Sequence, residues 1–534
     1  MGLEWWQTGV VYQIYPRSFQ DTDGDGIGDL AGILERADYL SGTLGVDAVW
    51  VSPFYPSPMD DFGYDVTDYC DVDPLFGDLA TFDRLLAGLH ERGLRVILDL
   101  VVNHTSDRHP WFAASRSSPD DPKRDWYIWR DPAPDGGPPN NWLAVFGGPA
   151  WEWDEATGQY YLHSFLPSQP DLDWRNPEVE EAMFDVVHFW LDRGVDGFRL
   201  DVAEFVMKHP DFPDNPPAAR GPSDGGAMGA NRDMGAYSSL EHRYDKDHPD
   251  VHPLYRRMRR LLDSYEPARI AIGEIHLDLE EWLAYYGEDL DEFHLPFNFR
   301  LVYTEPTAEE IGPLVDRIED ALPPGAWPNW VLGNHDESRL ATRFGPDHTR
   351  LAAVLLLTLR GTPTLYYGDE LGLSEAEIAP EDQVDPWGIR VPGQGRDGCR
   401  TPMPWEPGPG GGFTTGKPWL PLGPAADARS VAAQQGDPHS ILNLYRALLD
   451  LRRREPSLHA GAYRRLEAPD GVLAYRREAP GAAGCTVVLN FGEKPEQVGA
   501  AGTIAVSTDR RDEGTVVREA VVAPGQAVVL VDAV

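Results

Sequence analysis

Eight short segments rich in Val, Ile, Leu and aromatic residues recur along the 534-residue chain, separated by stretches long enough for a helix. Several run almost continuously apolar before ending in polar residues, which is typical of strands buried on both faces of a parallel sheet. Strand and helix alternating eight times predicts an α/β fold, a (β/α)8 TIM barrel. The predicted strands lie within Val10–Phe19, Val46–Phe54, Arg95–His104, Gly194–Ala203, Arg269–His276, Glu292–Phe299, Trp330–Asp336 and Thr362–Glu370.

The spacing of these segments predicts two additions to the barrel. About ninety residues separate the third segment from the fourth, far more than a strand-to-helix connection needs. We therefore expect a small inserted domain over 105–173, with the barrel formed by 1–104 and 174–460. From 461 to 534, period-two alternation with turns predicts a C-terminal all-β domain, interpreted as a β-sandwich.

The charge balance narrows the class of partner. The chain carries 46 Lys and Arg against 87 Asp and Glu, a formal net charge of −41. A field of this sign repels phosphate backbones and anionic lipid, so we expect neither nucleic acid nor a membrane surface as a partner. No run of about eighteen apolar residues occurs, so no membrane span is expected. A small neutral substrate suits this charge. The oligomeric state is left open.

Cysteine usage and the first residues bear on the cellular location. Cys70, Cys399 and Cys485 are odd in number and widely spaced, which fits neither a disulfide framework nor a metal site. The first residues have neither the basic region nor the apolar region of a secretory signal. Both observations favour the reducing environment of the cytoplasm.

Carboxylate and imidazole side chains follow four of the predicted strands. Functional groups of such barrels lie at the carboxyl ends of the strands, so these side chains should converge on one mouth. Gathering carboxylates costs stability, because like charges repel and lose solvation. Glycoside hydrolysis explains the arrangement, since it needs one carboxylate as nucleophile and one carboxylic acid as proton donor. The four strand ends are Asp99–His104, Gly197–Asp201, Gly273–His276 and Gly333–Asp336.

These strand ends resemble the signature regions of the α-amylase family of glycoside hydrolases, family 13. Gln169–Trp174 resembles a fifth marker of that family, and the likeness covers essentially the whole chain in the expected order. The resemblance implies that Asp201 is the nucleophile and that Glu274 is the acid and base. It also implies that Asp336 binds the ring hydroxyls at C2 and C3 and helps to distort the sugar.

The same resemblance assigns supporting roles around the nucleophile. Arg199, two residues before Asp201 on the same strand face, would keep that carboxylate ionised and oriented. We expect the carboxylate neighbours of Glu274 to raise its pKa. His104 and His335 would donate hydrogen bonds to sugar hydroxyls near the cleaved bond.

Three further motifs resemble α-glucosidases and oligo-1,6-glucosidases within the family: Tyr12–Phe19, Asp61–Asp65 and Arg400–Trp405. By that likeness Asp61 and Arg400 pair and bind the C4 hydroxyl of a terminal glucose, the alternative being a structural salt bridge between loops. A pair in this position would close the pocket behind one sugar and predict exo-action on short chains.

The likeness also predicts the remaining pocket residues and the activity. Tyr64 would stack beneath the terminal ring, and Phe146 would line the pocket. We expect a retaining, exo-acting α-glucosidase that releases α-glucose from short α-glucosides, with α-1,4 bonds favoured, broad linkage tolerance and transglucosylation open. Val202, directly after the nucleophile, accompanies α-1,6 preference in the subgroup. An oligo-1,6-glucosidase therefore stays an alternative, as does a sucrose- or trehalose-type isomerase or hydrolase.

An acidic loop near the start of the chain suggests a metal site. Its alternating oxygens resemble half of an EF-hand, but Gly32 stands where the bidentate Glu should be, so an EF-hand is rejected. Relatives in the subgroup bind one structural Ca²⁺ here, and an acidic turn without an ion is the alternative. No cofactor is expected for catalysis. The resemblance implies as ligands Asp21, Asp23, Asp25, the Ile27 carbonyl and Asp29.

Overall fold

The computed structural model describes residues 2–218 and 234–532, and its centre is a closed barrel of eight parallel strands. Each strand pairs with its neighbours in chain order, and the first closes on the eighth. Seven lie within their predicted segments and β7 begins one residue before its segment, so the predicted (β/α)8 fold is confirmed. The strands are β1 (Val11–Ile14), β2 (Ala48–Val51), β3 (Arg95–Val101), β4 (Gly197–Asp201), β5 (Ile270–Gly273), β6 (Leu295–Asn298), β7 (Asn329–Val331) and β8 (Thr362–Tyr366).

Alternate residues of the strands face the inside of the barrel and the surrounding helices. Because both faces are covered, the strands need apolar residues at nearly every position, which explains their continuous apolar runs. The inward side chains form one apolar cluster that fills the barrel, so the interior is packed. This cluster includes Val11, Trp50, Ile97, Ile272, Phe297 and Val331.

Capping residues explain where a helix of the barrel begins and ends. The helix before β4, Pro177–Arg193, begins after Asn176, whose side chain accepts a hydrogen bond from the Glu178 amide. It ends at Gly194, whose φ of 106° lies in the left-handed region that glycine adopts without strain. The other main helices are Leu30–Glu35, Leu79–Glu91, Val251–Asp263, Leu279–Ala284, Ala308–Ala321, Leu340–Thr358 and Ile441–Arg454.

Between β3 and β4 the chain leaves the barrel and forms a small antiparallel sheet of three strands. Its strand order is Trp129–Arg130, Gln159–Leu162 and Trp151–Asp154. An isolated bridge between His104 and Asp171 joins the two ends of this insertion beside the mouth of the barrel. The insertion thereby forms one wall above the carboxyl ends of the strands.

The predicted C-terminal all-β domain is confirmed as two antiparallel sheets. Arg477 of this domain and Arg452 of the last barrel helix donate hydrogen bonds to the Thr358 and Leu357 carbonyls at the end of Leu340–Thr358. Cations at this end complement the helix dipole. No described helix has the length and apolarity to cross a bilayer. The six-stranded sheet has the order Ala462–Arg465, Val472–Glu478, Cys485–Asn490, Ala527–Val531, Gly502–Ser507 and Val516–Val517, and the smaller sheet pairs Glu496–Val498 with Ala520–Val522.

Candidate active site

A cavity opens at the carboxyl ends of the barrel strands. The structure brings most of the predicted site residues together on its wall. Arg199 and Arg400 lie behind that wall, each bonded to a carboxylate that lines it. The predicted residues that line the cavity are Asp61, Tyr64, His104, Phe146, Asp201, Glu274, His335 and Asp336.

The fully buried guanidinium of Arg199 joins three carboxylates at the floor of this cavity. Its Nη1 lies 2.8 Å from Asp201 Oδ1 and 2.6 Å from Asp99 Oδ1, while its Nη2 lies 2.5 Å from Glu274 Oε2. Arg199 and Asp201 share a strand face because they are two residues apart on β4. The geometry holds the two predicted reacting carboxylates on one planar cation.

The backbone after the nucleophile also contacts the predicted acid and base. The amide of Val202 donates a hydrogen bond to Glu274 Oε2 at 2.9 Å. To present that amide, Val202 has a φ of 39°, a left-handed conformation that costs energy in a β-branched residue. Such strain is typical of functional sites, where surrounding contacts hold the backbone in place.

The pKa of the predicted acid and base differs from the sequence prediction. Burial favours a higher pKa for Glu274, but the Arg199 guanidinium and the hydrogen bond from His276 outweigh it and lower the pKa to about 2. Burial raises the pKa of Asp201 well above its ordinary range against the opposing charge of Arg199. The expectation of a raised Glu274 pKa is therefore wrong for this arrangement, because the Arg199 guanidinium contacts Glu274 as well as Asp201.

The third predicted carboxylate, Asp336, is held by one histidine and two arginines. Burial lowers the pKa of His335 to about 3, so its ring is neutral. His335 Nδ1 accepts from Gln13 at 2.8 Å, which leaves the hydrogen on Nε2 to be donated to Asp336 Oδ2 at 3.1 Å. The Tyr64 ring stacks on His335 with centroids 5.2 Å apart.

The predicted ion pair between Asp61 and Arg400 is wrong in this structure. Asp61 Oδ1 lies 2.8 Å from Nη2 of Arg396, whereas Arg400 Nη2 donates to Asp336 Oδ1 at 2.9 Å. Arg396 also reaches Asp336 at 2.9 Å and is anchored by Asp385 at 2.7 Å. Its fork therefore spans Asp61 and Asp336, and Arg400 supports Asp336 from behind.

Aromatic and amide side chains complete the wall. Phe146 stacks on Trp387 with centroids 5.1 Å apart, and the Arg396 guanidinium lies 5.0 Å from the centroid of Phe146. The His104 Nε2 is 3.1 Å from the Gln169 side-chain nitrogen. Sequence reasoning missed Arg396, Trp387, Phe165 and His276. Only His276 carried a signal, since it follows Glu274 by two residues.

The structure brings together three of the five predicted metal ligands. Carboxylate oxygens of Asp21, Asp23 and Asp25 lie within 4.8 Å of one another. The Asp29 side chain instead accepts from the Gly32 amide at 2.7 Å as the N-cap of the following helix. The predicted role of the Ile27 carbonyl stays a prediction.

Comparisons with known proteins agree with this geometry. The family model described as the alpha amylase catalytic domain matches residues 13–461. The chain is 47% identical to a probable alpha-glucosidase of Rhizobium meliloti, with 89% of this chain and 87% of that protein covered. It is 40% identical to an oligo-1,6-glucosidase of Heyndrickxia coagulans, with 89% and 90% covered.

Two solved structures extend the likeness over nearly the whole chain. An alpha-glucosyl transfer enzyme superposes with a TM-score of 0.92 at 43% identity, and the match covers 100% of both chains. The trehalulose synthase of Pseudomonas mesoacidophila superposes with a TM-score of 0.89 at 34% identity, covering 99% of this chain and 100% of that one.

Proposed function

The chain belongs to the alpha-amylase family of catalytic domains, and on that premise we propose that it is a retaining, exo-acting α-glucosidase. The chain is a glycoside hydrolase. We propose that it releases α-glucose from the non-reducing end of short α-glucosides, with α-1,4 bonds favoured. The observation that carries this proposal is the single Arg199 guanidinium that bridges Asp201 and Glu274.

The bridged pair supports a double displacement. An Asp201 oxygen attacks C1 as the bond from C1 to the glycosidic oxygen breaks, and Glu274 donates its proton to that oxygen. Water then attacks C1, Glu274 takes the proton of the water, and the ester bond to Asp201 breaks. Each displacement inverts C1, so the released glucose keeps the α configuration.

The first step needs a proton on Glu274 and none on Asp201, whereas Arg199 and His276 lower the pKa of Glu274 and burial raises that of Asp201. We propose that the bound sugar moves this proton. The developing positive charge at C1 favours an ionised Asp201, and the glycosidic oxygen beside Glu274 accepts from a protonated carboxyl. The two groups then titrate as one coupled pair with shared macroscopic pKa values.

The decisive experiment measures initial rates on maltose, isomaltose, sucrose and p-nitrophenyl α-glucoside side by side, with the anomer of the released glucose followed by NMR. We expect α-glucose first, the fastest release from maltose among the three disaccharides, and little cleavage inside soluble starch. Release of β-glucose, or of internal fragments from starch, would contradict the proposal. A higher rate on isomaltose would favour the oligo-1,6-glucosidase alternative.

Glucosyl transfer is the second candidate, and the similarity to an alpha-glucosyl transfer enzyme favours it. In transfer, a sugar hydroxyl replaces water in the second displacement while the same two carboxylates act. Product chromatography at high maltose separates the two activities. New di- and trisaccharides in excess of the glucose produced by hydrolysis would indicate transfer, and isomerised disaccharides would indicate an isomerase.

We propose that Asp61, Arg396 and Asp336 together close the pocket behind the terminal glucose. The two carboxylates offer acceptors to neighbouring hydroxyls and the guanidinium fork that holds them offers donors, with the hydrogen bonds strengthened by charge. Asp385 holds the far side of Arg396 and leaves little freedom for the fork to move. A closed end restricts action to chain ends.

Matched lysine variants test this arrangement. We expect Arg396→Lys to lower kcat/KM on maltose by about a hundredfold and Arg400→Lys by about tenfold, because a point charge cannot span the carboxylates that a guanidinium fork joins. Arg396 contacts three carboxylates, whereas Arg400 contacts one. Steady-state kinetics of both purified variants provide the measurement. A larger loss for Arg400→Lys would return the closing role to Arg400.

We further propose that Asp21, Asp23 and Asp25 hold one structural Ca²⁺. Three carboxylates within 4.8 Å repel one another, and a hard cation with a preference for oxygen ligands would offset that repulsion. Asp21 is buried among backbone amides, which orients its oxygens. The loop contacts the Thr414 hydroxyl, so the ion would support the loop after β8 and take no part in bond breaking.

Metal removal should therefore separate stability from chemistry. We expect a chelator to lower Tm by a few degrees and to leave kcat unchanged below that temperature, because the ion binds only the folded loop. Asp23→Asn should abolish the effect of added Ca²⁺ on Tm, whereas Asp120→Asn, an exposed acid outside the loop, should retain it. Loss of kcat at unchanged Tm would give the metal a catalytic role.

A cytoplasmic location is the last part of the proposal. Its support is that Cys70, Cys399 and Cys485 are all free thiols. A reducing compartment keeps them in that state.

A further inference from the structure

His276 stands out among the cavity residues that sequence reasoning missed. It follows Glu274 by two residues, and its Nε2 lies 3.2 Å from Glu274 Oε1. The imidazole stacks on the Phe299 ring with centroids 4.3 Å apart and planes inclined by 19°. Its backbone amide donates to Glu204 Oε1 at 3.1 Å. The ring is therefore held by Phe299 on one face, with one edge directed at the acid and base.

The two nitrogens of His276 have unequal surroundings. An ionised Glu274 can only accept a hydrogen bond, so Nε2 must carry the hydrogen that lies between them. The Nδ1 atom is buried, and no described residue forms a hydrogen bond with it. Burying a polar atom in this way costs stability. A histidine kept only for structure would use both nitrogens, and here the one side-chain bond goes to Glu274.

The two oxygens of Glu274 are also unequal. Oε2 receives the Arg199 guanidinium and the Val202 amide, so the protein holds it firmly. Oε1 receives His276, and in the described part of the chain no other group donates to it. Oε1 is thus the oxygen that can exchange a proton with substrate, and His276 is the group that contacts it during this exchange.

We propose that His276 is a positioning residue whose Nε2 hydrogen holds Glu274 Oε1 in place between the two displacements and thereby speeds hydrolysis of the glycosyl-enzyme. The inference rests on the proposed double displacement. After Glu274 has given its proton to the leaving oxygen, the Nε2 hydrogen stabilises the new carboxylate. That carboxylate then takes a proton from water as the oxygen of water bonds to C1 and the Asp201 ester breaks, and His276 ends each cycle unchanged.

The carboxylates around the His276 imidazole raise its pKa. Burial lowers the pKa of His276, but the hydrogen bond to Glu274 and the charges of Glu274, Glu204 and Glu337 outweigh it, so the net shift is upward. Glu204 lies on the turn after β4 beside Lys246, and Glu337 follows β7 and accepts from Tyr303 at 2.7 Å.

From β4 and the end of β7, Arg199 and Asp336 complete the charged surroundings of Glu274. The groups that favour its ionised form are thus the Arg199 guanidinium on one oxygen and the His276 N–H on the other. His276 contacts Glu274 on the oxygen that Arg199 does not touch, away from the Arg199 bridge to Asp201. His276 is therefore the residue that can change the rate of one displacement relative to the other.

Two variants of the full chain separate the hydrogen bond from packing. His276→Leu removes the donor and fills the space, whereas His276→Gln restores an N–H donor that does not titrate. Stopped-flow release of p-nitrophenol from p-nitrophenyl α-glucoside reports glycosyl-enzyme formation as a burst, and the steady rate reports its hydrolysis. The pH dependence of kcat/KM reports ionisation of the coupled pair.

For His276→Leu we expect hydrolysis of the glycosyl-enzyme to slow about tenfold, a burst to appear, and the alkaline limb of kcat/KM to move up by about one pH unit. The sign follows because loss of the donor raises the pKa of Glu274. For His276→Gln we expect the limb to return towards the wild-type position and the burst to shrink. Phe299→Leu, which removes the stacked ring and part of the barrel packing but leaves the hydrogen bond to Glu274, should lower Tm more than it moves the limb.

The outcomes distinguish this inference from the function on which it rests. If Leu and Gln variants show the same limb and the same burst, His276 acts only by packing and the inference is overturned. An unmoved limb in His276→Leu overturns it as well. If the wild type releases no p-nitrophenol, the α-glucosidase proposal itself fails.

Discussion

Replacing Asp201 by Asn is expected to lower kcat on maltose by about 10⁴-fold or more while the chain still folds. Without the carboxylate no glycosyl-enzyme ester forms, and water must displace the leaving group unaided. The side chain keeps its volume, and Arg199 keeps its contacts with Asp99 and Glu274, so the floor of the cavity stays filled. Steady-state kinetics together with thermal unfolding measure both parts of this expectation.

The same strand provides the matched control. Asp196 precedes β4 at the amino end of the barrel, where it accepts from His90 and lies 2.9 Å from Arg95 and 3.2 Å from Arg269. Residues at that end of a barrel support stability, whereas residues at the carboxyl end support chemistry. Asp196→Asn should therefore lower Tm and retain kcat. A variant at Asp201 with near-native kcat would remove that residue from the mechanism.

Replacing Glu274 by Gln is expected to have an effect that depends on the leaving group. Maltose has a poor leaving group that needs a proton, so kcat/KM should fall by about 10³-fold or more. p-Nitrophenolate leaves without protonation, so the first displacement should be slowed much less on the aryl glucoside. Comparison of kcat/KM on the two substrates measures the contribution of the proton donor.

The second displacement provides an independent readout of the same variant. Hydrolysis of the glycosyl-enzyme needs Glu274 to take a proton from water, whereas azide is a nucleophile without a proton to lose. Azide should therefore accelerate turnover of the aryl glucoside by Glu274→Gln and yield α-glucosyl azide, identified by NMR. Glu370→Gln is a control, since that buried carboxylate accepts from Tyr12 and Tyr39 hydroxyls away from the cavity. Equal losses on both substrates without azide rescue would contradict the acid and base role.

The gathering of the reacting carboxylates was predictable from residue order alone. Asp201 ends β4, Glu274 follows β5, and Asp336 lies just beyond β7. In a closed barrel of parallel strands all carboxyl ends meet at one rim, so residues at these ends must share a mouth. The strong periodicity of the buried strands made the strand ends, which form this rim, predictable from the sequence.

Residues of the long connections were not predictable in this way. Asp61 follows β2, whereas Arg396, Arg400 and Asp385 lie in the loop after β8, where no period relates position to direction. Either arginine could have faced Asp61 on sequence grounds. The choice depends on Asp385, which anchors Arg396 from the far side.

The pKa values of Asp201 and Glu274 are the clearest case of a property decided by tertiary structure. A cation two residues before Asp201 predicted an ionised nucleophile, because sequence places Arg199 beside that carboxylate only. In the folded chain the same guanidinium also reaches Glu274 at 2.5 Å, and His276 adds a hydrogen bond. The pKa of Glu274 falls as a result, whereas burial and the neighbouring carboxylates raise the pKa of Asp201.

The sequence by itself determined the barrel, the order of its strands and the carboxylates at their ends, because strand periodicity and chain order suffice to place them. Tertiary structure alone decided which arginine meets Asp61, in which direction the pKa of Glu274 shifts, and that His276 contacts the acid and base. These features depend on distances of about 3 Å between segments far apart in the chain, and electrostatic interactions at such distances change steeply with position.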